Sequence, residues 1–313
     1  MIGRCTQLPS GAPLVRQHPD TKTKRQVARE ITYAHAASTR GGRAMIRVLE
    51  NVTGRLRLIR QADGYERDVA AGRDFWEVMA TRYGLDLKVI GGSLDNIPRE
   101  GPLILIANHP FGILDGLMMG RMLSALRGDK FRILAHRVFR KAEDLDRVIL
   151  PISFDETREA QQINLDTRRQ CLEFLAQGGA IGVFPGGTVS TSAKPFSHPM
   201  DPVWRAFTAR MIAKSGAQVV PVFFVGHNSR FFQVASHLHY TLRVGLLINE
   251  FRARVNKPVE VVIGTPIPPE ALDPFRTDAR AMMDFLREAT YQLSPVPVRS
   301  LGYGYEFENR YKN

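Results

Sequence analysis

The stretch Asn108-His109-Pro-Phe-Gly-Ile-Leu-Asp115 combines residue types and spacing suited to proton transfer. An imidazole titrates near neutral pH and can take a proton from an alcohol as that alcohol attacks a carbonyl. It needs a partner that fixes its tautomer and stabilises the imidazolium. A carboxylate six residues on can loop back to do so. His109 is therefore read as a general base and Asp115 as its orienting partner.

A second block, Phe184-Pro185-Gly186-Gly187-Thr188-Val189-Ser190, carries two glycines and two hydroxyl residues. Glycines let backbone N–H groups approach an anion or a developing oxyanion, although a plain strand-to-helix turn has the same composition. No Gly-Lys-Ser/Thr follows, so the block is not a P-loop, and the chain has no Gly-x-Ser-x-Gly serine-hydrolase elbow. His227 and Asn228 follow an apolar run and could line the same cleft. Arg137, Arg140 and Arg158 could bind an acidic headgroup or carrier, or simply face solvent. His237 and His239 lie two apart on an expected helix, so they face apart and are read as structural or surface residues. The two cysteines, Cys5 and Cys171, have no metal-ligand spacing and fit a reducing compartment.

The elements that must place these residues follow from the apolar patterning. Leu103–Ala107 is an apolar strand that delivers His109 to a loop, and a helix runs from Asp115 to about Leu126. Further strands are expected at 85–90, 131–135, 148–154, 180–184, 219–225 and 259–263. Helices are expected at 43–60, 66–83, 137–146, 158–177, 202–215, 230–252 and 277–293. Strands alternating with helices give an α/β fold, a mostly parallel sheet flanked by helices, with an N-terminal amphipathic helical segment. In such sheets ligands gather at the C-terminal strand ends. The loops after Ala107, Phe184 and Val225 should then line one cleft. The expected division is a basic, disordered segment over 1–42, an amphipathic helical segment over 43–84, the catalytic domain over 85–294, and a tail over 295–313 to which no element can be assigned.

The net charge of +12 is concentrated near the start, where residues 1–60 hold twelve Lys/Arg against three acids. Such a block favours an anionic partner: membrane lipid, nucleic acid or an acidic protein. No recognition module or aromatic platform accompanies the charge, which argues against nucleic acid. On a helix over 43–60, Met45, Val48, Leu49, Val52, Leu56 and Ile59 share one face, with Arg43, Arg47, Glu50 and Arg57 opposite. This face suits either packing on the domain or in-plane contact with an anionic bilayer. Gly54 weakens the helix by about 1 kcal/mol relative to Ala. No apolar run is long enough to span a bilayer, and no signal-peptide apolar region is visible at the start.

Asn108-His109-x4-Asp115 resembles the Asn-His-x4-Asp signature of the lysophospholipid (glycerolipid) acyltransferase superfamily. Phe184–Ser190 resembles that family's Phe-Pro-Glu-Gly-Thr-Arg-Ser block. Val219-Val-Pro-Val-Phe-Phe-Val225 resembles its later Val-Pro-Val strand, and Val148-Ile-Leu-Pro-Ile, loosely, the block between. Together these cover about residues 72–270. The family's Glu is Gly186 here and its Arg is Val189, which speaks against a phosphate-bearing acceptor. Asn-His-Pro-Phe-Gly-x-Leu-Asp-Gly and the Gly-His227-Asn228-Ser stretch look closer to the bacterial lyso-ornithine-lipid and hemolysin-like branch.

The resemblance implies a catalytic dyad of His109 and Asp115 and no metal or redox cofactor. It implies substrate contacts at Asn108, Phe184, Pro185, Gly186, Gly187, Thr188, Ser190, His227 and Asn228. Backbone amides near Gly186 and Gly187, or in the Asn108 loop, would hold the oxyanion. The implied reaction moves an acyl group from an acyl-carrier protein or coenzyme A thioester to a lysolipid hydroxyl, on lyso-ornithine or a related aminoacyl lipid. Lysophosphatidic acid (1-acylglycerol 3-phosphate) is the alternative acceptor, and a non-catalytic lipid-binding protein on the same fold is the alternative class. The implied location is peripheral, at the cytoplasmic face of the inner or plasma membrane.

Overall fold

A computed structural model describes residues 32–34, 37, 39–136, 143–153, 157–298 and 301–307. Residues 1–31, Arg137 and Arg140, named above, lie outside it. A seven-stranded sheet runs in the order β1(Asp86–Gly91), β9(Pro258–Ile263), β8(Gln218–Phe224), β2(Leu103–Ala107), β5(Ala180–Val183), β3(Phe131–His136), β4(Ile149–Ile152). The five strands from β8 to β4 are parallel. β9 pairs antiparallel with β8, and β1 parallel with β9. The sheet is thus mostly parallel, with a reversed pair at one edge. β4 holds Pro151, tolerable because β4 is the other edge, where a missing N–H leaves no ladder bond broken.

β2 is central and buried along its whole length. Its alternate side chains feed two cores. Leu103, Leu105 and Ala107 pack with Trp76, Met118, Met119 and Met122. Ile104 and Ile106 pack with Leu175, Trp204, Met211 and Met283 on the opposite face. Each fully buried Leu or Ile contributes roughly 1.5–3 kcal/mol, so β2 is the firmest base available for a catalytic loop. Helix α5(Ile113–Arg127) lies on the first face, and α6(Arg158–Ala176), α7(Ala206–Ser215) and α10(Ala279–Tyr291) on the second. A short hairpin, β6(Thr191–Ser192) and β7(Pro199–Met200), follows the glycine block.

Four expectations change. The helix expected over 43–60 is two, α1(Arg40–Thr53) and α2(Arg55–Ala62), broken at Gly54 with φ 128°. The helix expected over 66–83 is also two, α3(Tyr65–Ala70) and α4(Phe75–Arg82). There the Asp74 side chain accepts from the Glu77 N–H at 2.9 Å and starts a fresh helix. The 230–252 segment divides into α8(Arg230–Leu238) and α9(Tyr240–Arg254), with His239 capping α9. Of the helix expected over 137–146, the described part is a single turn, Glu143–Asp146. Among the described residues no helix is long and apolar enough to cross a membrane.

Candidate active site

The strand order β8-β2-β5 sets side by side the three loops singled out from sequence. His109 leaves the end of β2, and its ring stacks on Phe184 at the end of β5, centroids 4.2 Å apart and planes within 24°. Its Nδ1 lies 3.0 Å from Asp115 Oδ2. The N–H is not aimed squarely at that oxygen, so Nδ1 makes no well-aligned hydrogen bond. Catalytic hydrogen bonds often align only once substrate is bound. Asp115 is fully buried while His109 keeps 18% of its side chain exposed, leaving the ring an edge on the cleft.

Asp115 sits in the first turn of α5, and its Oδ2 accepts from the N–H groups of Phe111 at 2.8 Å and Gly112 at 3.0 Å. Gly112, at φ 89°, makes this possible: the chain turns through a left-handed conformation so that consecutive amides converge on one carboxylate. Burial pushes the Asp115 carboxyl above its ordinary range, while His109 and the two amides pull the other way. The helix N-terminus adds to that pull.

Other residues named from sequence hold the loops together. The Asn108 side chain donates to the Phe224 carbonyl at 3.0 Å and accepts from the Phe224 N–H at 2.7 Å, clamping the end of β2 to β8. Ser190 donates its N–H to the His109 carbonyl at 2.8 Å and its hydroxyl to Asp201. Thr188 Oγ1 accepts from Arg243 at 2.9 Å. The Gly187 N–H closes a turn on the Phe184 carbonyl at 3.0 Å, so that amide is engaged. Among the described residues the amides of Gly186, Thr188 and Val189 have no hydrogen-bond acceptor. Pro185 accepts from the Arg205 N–H at 2.9 Å. Gly186 packs where a Cβ would lie 3.4 Å from Asp201 and Pro202. The Val189 side chain is buried with Phe232, Leu246 and Leu247, while its carbonyl accepts from Arg243. The His227 ring bonds the Asn228 carbonyl at 2.9 Å and lies edge-on to His198. Asn228 is buried, with its Nδ2 lacking an acceptor. His237 bonds the Ser192 carbonyl and His239 caps a helix, both structural. Arg158 is exposed.

Two residues that sequence reasoning missed organise the cleft. Asp201, fully buried, accepts the His109 N–H at 3.2 Å, the Ser190 hydroxyl and the Trp204 indole N–H at 2.9 Å. Arg243, also buried, donates to Thr188, to the Val189 carbonyl at 3.0 Å and to Thr191 at 2.6 Å. Burial lowers its pKa to about 10, so it remains charged at neutral pH. Neither stands in a motif. Their partners in the His109 and glycine-block loops lie 11 to 92 residues away, and only the fold brings them close.

The acyltransferase family model matches residues 56–296. The lyso-glycine lipid O-acyltransferase of Phocaeicola vulgatus is 25% identical over 228 residues, covering 71% of this chain and 78% of that protein. Its namesake from Bacteroides thetaiotaomicron is 25% identical over 235 residues, covering 71% and 80%. The crystal structure of the 1-acyl-sn-glycerophosphate (LPA) acyltransferase PlsC from Thermotoga maritima aligns over 83% of each chain, at 16% identity and a TM-score of 0.43. With three-quarters of its length matched to the family model, this chain belongs to the acyltransferase family.

Proposed function

We propose that the protein is a lysolipid O-acyltransferase whose acceptor is an aminoacyl lipid of the lyso-ornithine or lyso-glycine type, with an acyl-carrier protein or coenzyme A thioester as donor. The observation that carries the chemistry is the His109–Asp115 pair, with Nδ1 turned to the buried carboxylate and the opposite ring edge on the cleft. In the forward step the acceptor oxygen attacks the thioester carbonyl as His109 Nε2 takes its proton. The new C–O bond forms, the C–S bond breaks, and the thiolate recovers the proton from the imidazolium. Asp115 holds the tautomer and balances the charge of the imidazolium. The free amides of the Gly186–Val189 turn suit the transient oxyanion. No acyl-enzyme is needed.

The acceptor class is supported by the names of the two relatives and by the block itself. Gly186 packs against Asp201 and Val189 is buried among apolar side chains, so neither supplies a charge for a phosphate. A peripheral seat on an anionic bilayer is supported by α1 and α2. Met45, Val48, Val52 and Leu56 are 53%, 61%, 80% and 52% exposed, with Arg43, Arg57 and Arg60 exposed nearby.

The decisive variant is His109→Ala. Thiol release from an acyl thioester in the presence of hydroxyacyl-amino-acid acceptors should fall by about 10²–10⁴, with the melting temperature unchanged. Wild-type turnover in that variant, or no acyl transfer to any lysolipid by the intact protein, would overturn the reading.

A further inference from the structure

Arg254 closes the last turn of α9 next to the catalytic loop. Its guanidinium lies over the ring of Phe111, 4.1 Å from the centroid. Phe111 is two residues past His109, and its N–H is one of the two that hold Asp115. One Arg254 nitrogen donates to the His227 carbonyl at 3.2 Å. The rest of the guanidinium has no hydrogen-bond acceptor among the described residues, and no carboxylate there lies within ion-pair distance. Glu250, one turn earlier, has its oxygens on the Ser229 N–H and hydroxyl at 2.8 and 2.7 Å. Asp115 Oδ2 is occupied by the Phe111 and Gly112 amides beside His109. The charges of Asp115 and Glu250 still reach Arg254, but burial is the larger influence and lowers its pKa.

Other shielded arginines of this chain engage both terminal nitrogens within the protein, although the Nε of Arg127 and of Arg287 has no acceptor among the described residues. Arg205 forms a two-pronged pair with Glu306. Arg127 reaches three carbonyls, and Arg287 another three. A half-buried guanidinium with open donors, stacked on an aromatic ring, is poised for an anion. On the same loop as its one acceptor sits Asn228, whose buried Nδ2 likewise lacks a partner.

We propose that Arg254, assisted by the Asn228 amide, binds the free carboxylate of the acceptor, an amino acid whose nitrogen carries a hydroxyacyl chain. This rests on the aminoacyl-lipid reading and gives it a recognition site. A carboxylate matches the planar fork of one guanidinium. A diphosphate from the donor would call for several cations. Selectivity would then come from α9 and the His227 loop, while the glycine block serves the reacting carbonyl.

The test uses the full chain, as wild type, Arg254→Gln and Arg254→Lys, with an N-(β-hydroxyacyl)glycine and its methyl ester as acceptors. Each is run with an acyl-coenzyme A and with an acyl N-acetylcysteamine thioester, which lacks phosphate. Wild type should favour the acid over the ester in kcat/KM by about ten-fold to a hundred-fold. Arg254→Gln should collapse that ratio toward one through the acceptor KM, and Arg254→Lys should restore part of it. An unchanged ratio, with both acceptors losing equally, would reduce Arg254 to a structural role and overturn the proposal. So would a rise confined to the KM of acyl-coenzyme A, which would assign the anion to the donor, or a wild type indifferent to esterification. Equilibrium dialysis of the same acid and ester without donor should show the same loss of preference. It reads the anion site even if no turnover occurs, a result that would sink the acyltransfer reading alone.

Discussion

At the scale of single residues, the dyad was legible from sequence because it is local. His109 and Asp115 belong to one loop, and a strand before and a helix after dictate that they face each other. Asp201 was not legible, since it meets His109 across 92 residues and stands in an ordinary Met-Asp-Pro context. Yet its carboxylate fixes both the backbone of the base and the hydroxyl of Ser190. Asp201→Asn replaces one acceptor with a donor among three donors, and leaving a buried donor unmatched costs about 1–3 kcal/mol. Urea denaturation should show a loss of that size. Assayed well below the melting temperature, the variant should also lose kcat with little change in either KM, because the displaced group is the base. A stability loss with kcat intact would make Asp201 a support of the fold alone.

At the scale of elements, strands and most helices were readable from apolar runs and glycine stops, but the order of the sheet was not. Nothing in β9 announces that it runs against β8. The division at Asp74 had a signal, since an aspartate three residues before a glutamate with an aromatic pair between is a helix start. The orientation of α1 was the least accessible. Its apolar stripe invites burial, but Ile46 and Glu50 face the domain instead. Glu50 accepts from the Thr32 hydroxyl and the Tyr33 N–H, both at 2.5 Å, and so ties the chain before α1 to the core. A buried carboxylate held this way fixes the rotation of the helix and turns Met45, Val48 and Val52 outward. Val48→Glu with Val52→Glu should therefore leave the stability within about 0.5 kcal/mol of wild type and weaken sedimentation with vesicles of anionic lipid by about thirty-fold. Each charge near an anionic surface changes binding by about 1 kcal/mol. Strong destabilisation, or vesicle binding unaltered, would contradict an in-plane role for this face.

At the scale of the whole molecule, the tail closes a circuit. Composition alone gave residues 295–313 no element, because 301–307 form no helix or strand of their own. They are held by what they cover. The N–H groups of Gly304 and Tyr305 donate to the carbonyls of Asp201 and Thr191 at 2.9 and 3.0 Å. Phe307 lies 4.1 Å from the Arg243 guanidinium. Glu306 neutralises Arg205 with contacts of 2.9 and 3.1 Å, and the Arg205 N–H holds the Pro185 carbonyl. The segment therefore compensates the arginines that grip the glycine block from both ends. Removing one partner of a buried ion pair typically costs about 3–5 kcal/mol. Glu306→Ala should show most of that loss in thermal or urea unfolding. Glu306→Gln, which keeps the shape and one acceptor, should lose less. If the tail matters to catalysis by holding the block, both variants should also lower kcat at temperatures where they remain fully folded, in the order of their destabilisation. A stability loss with kcat unchanged would confine the tail to holding the fold and leave the placement of the catalytic loop to β2 and Asp201.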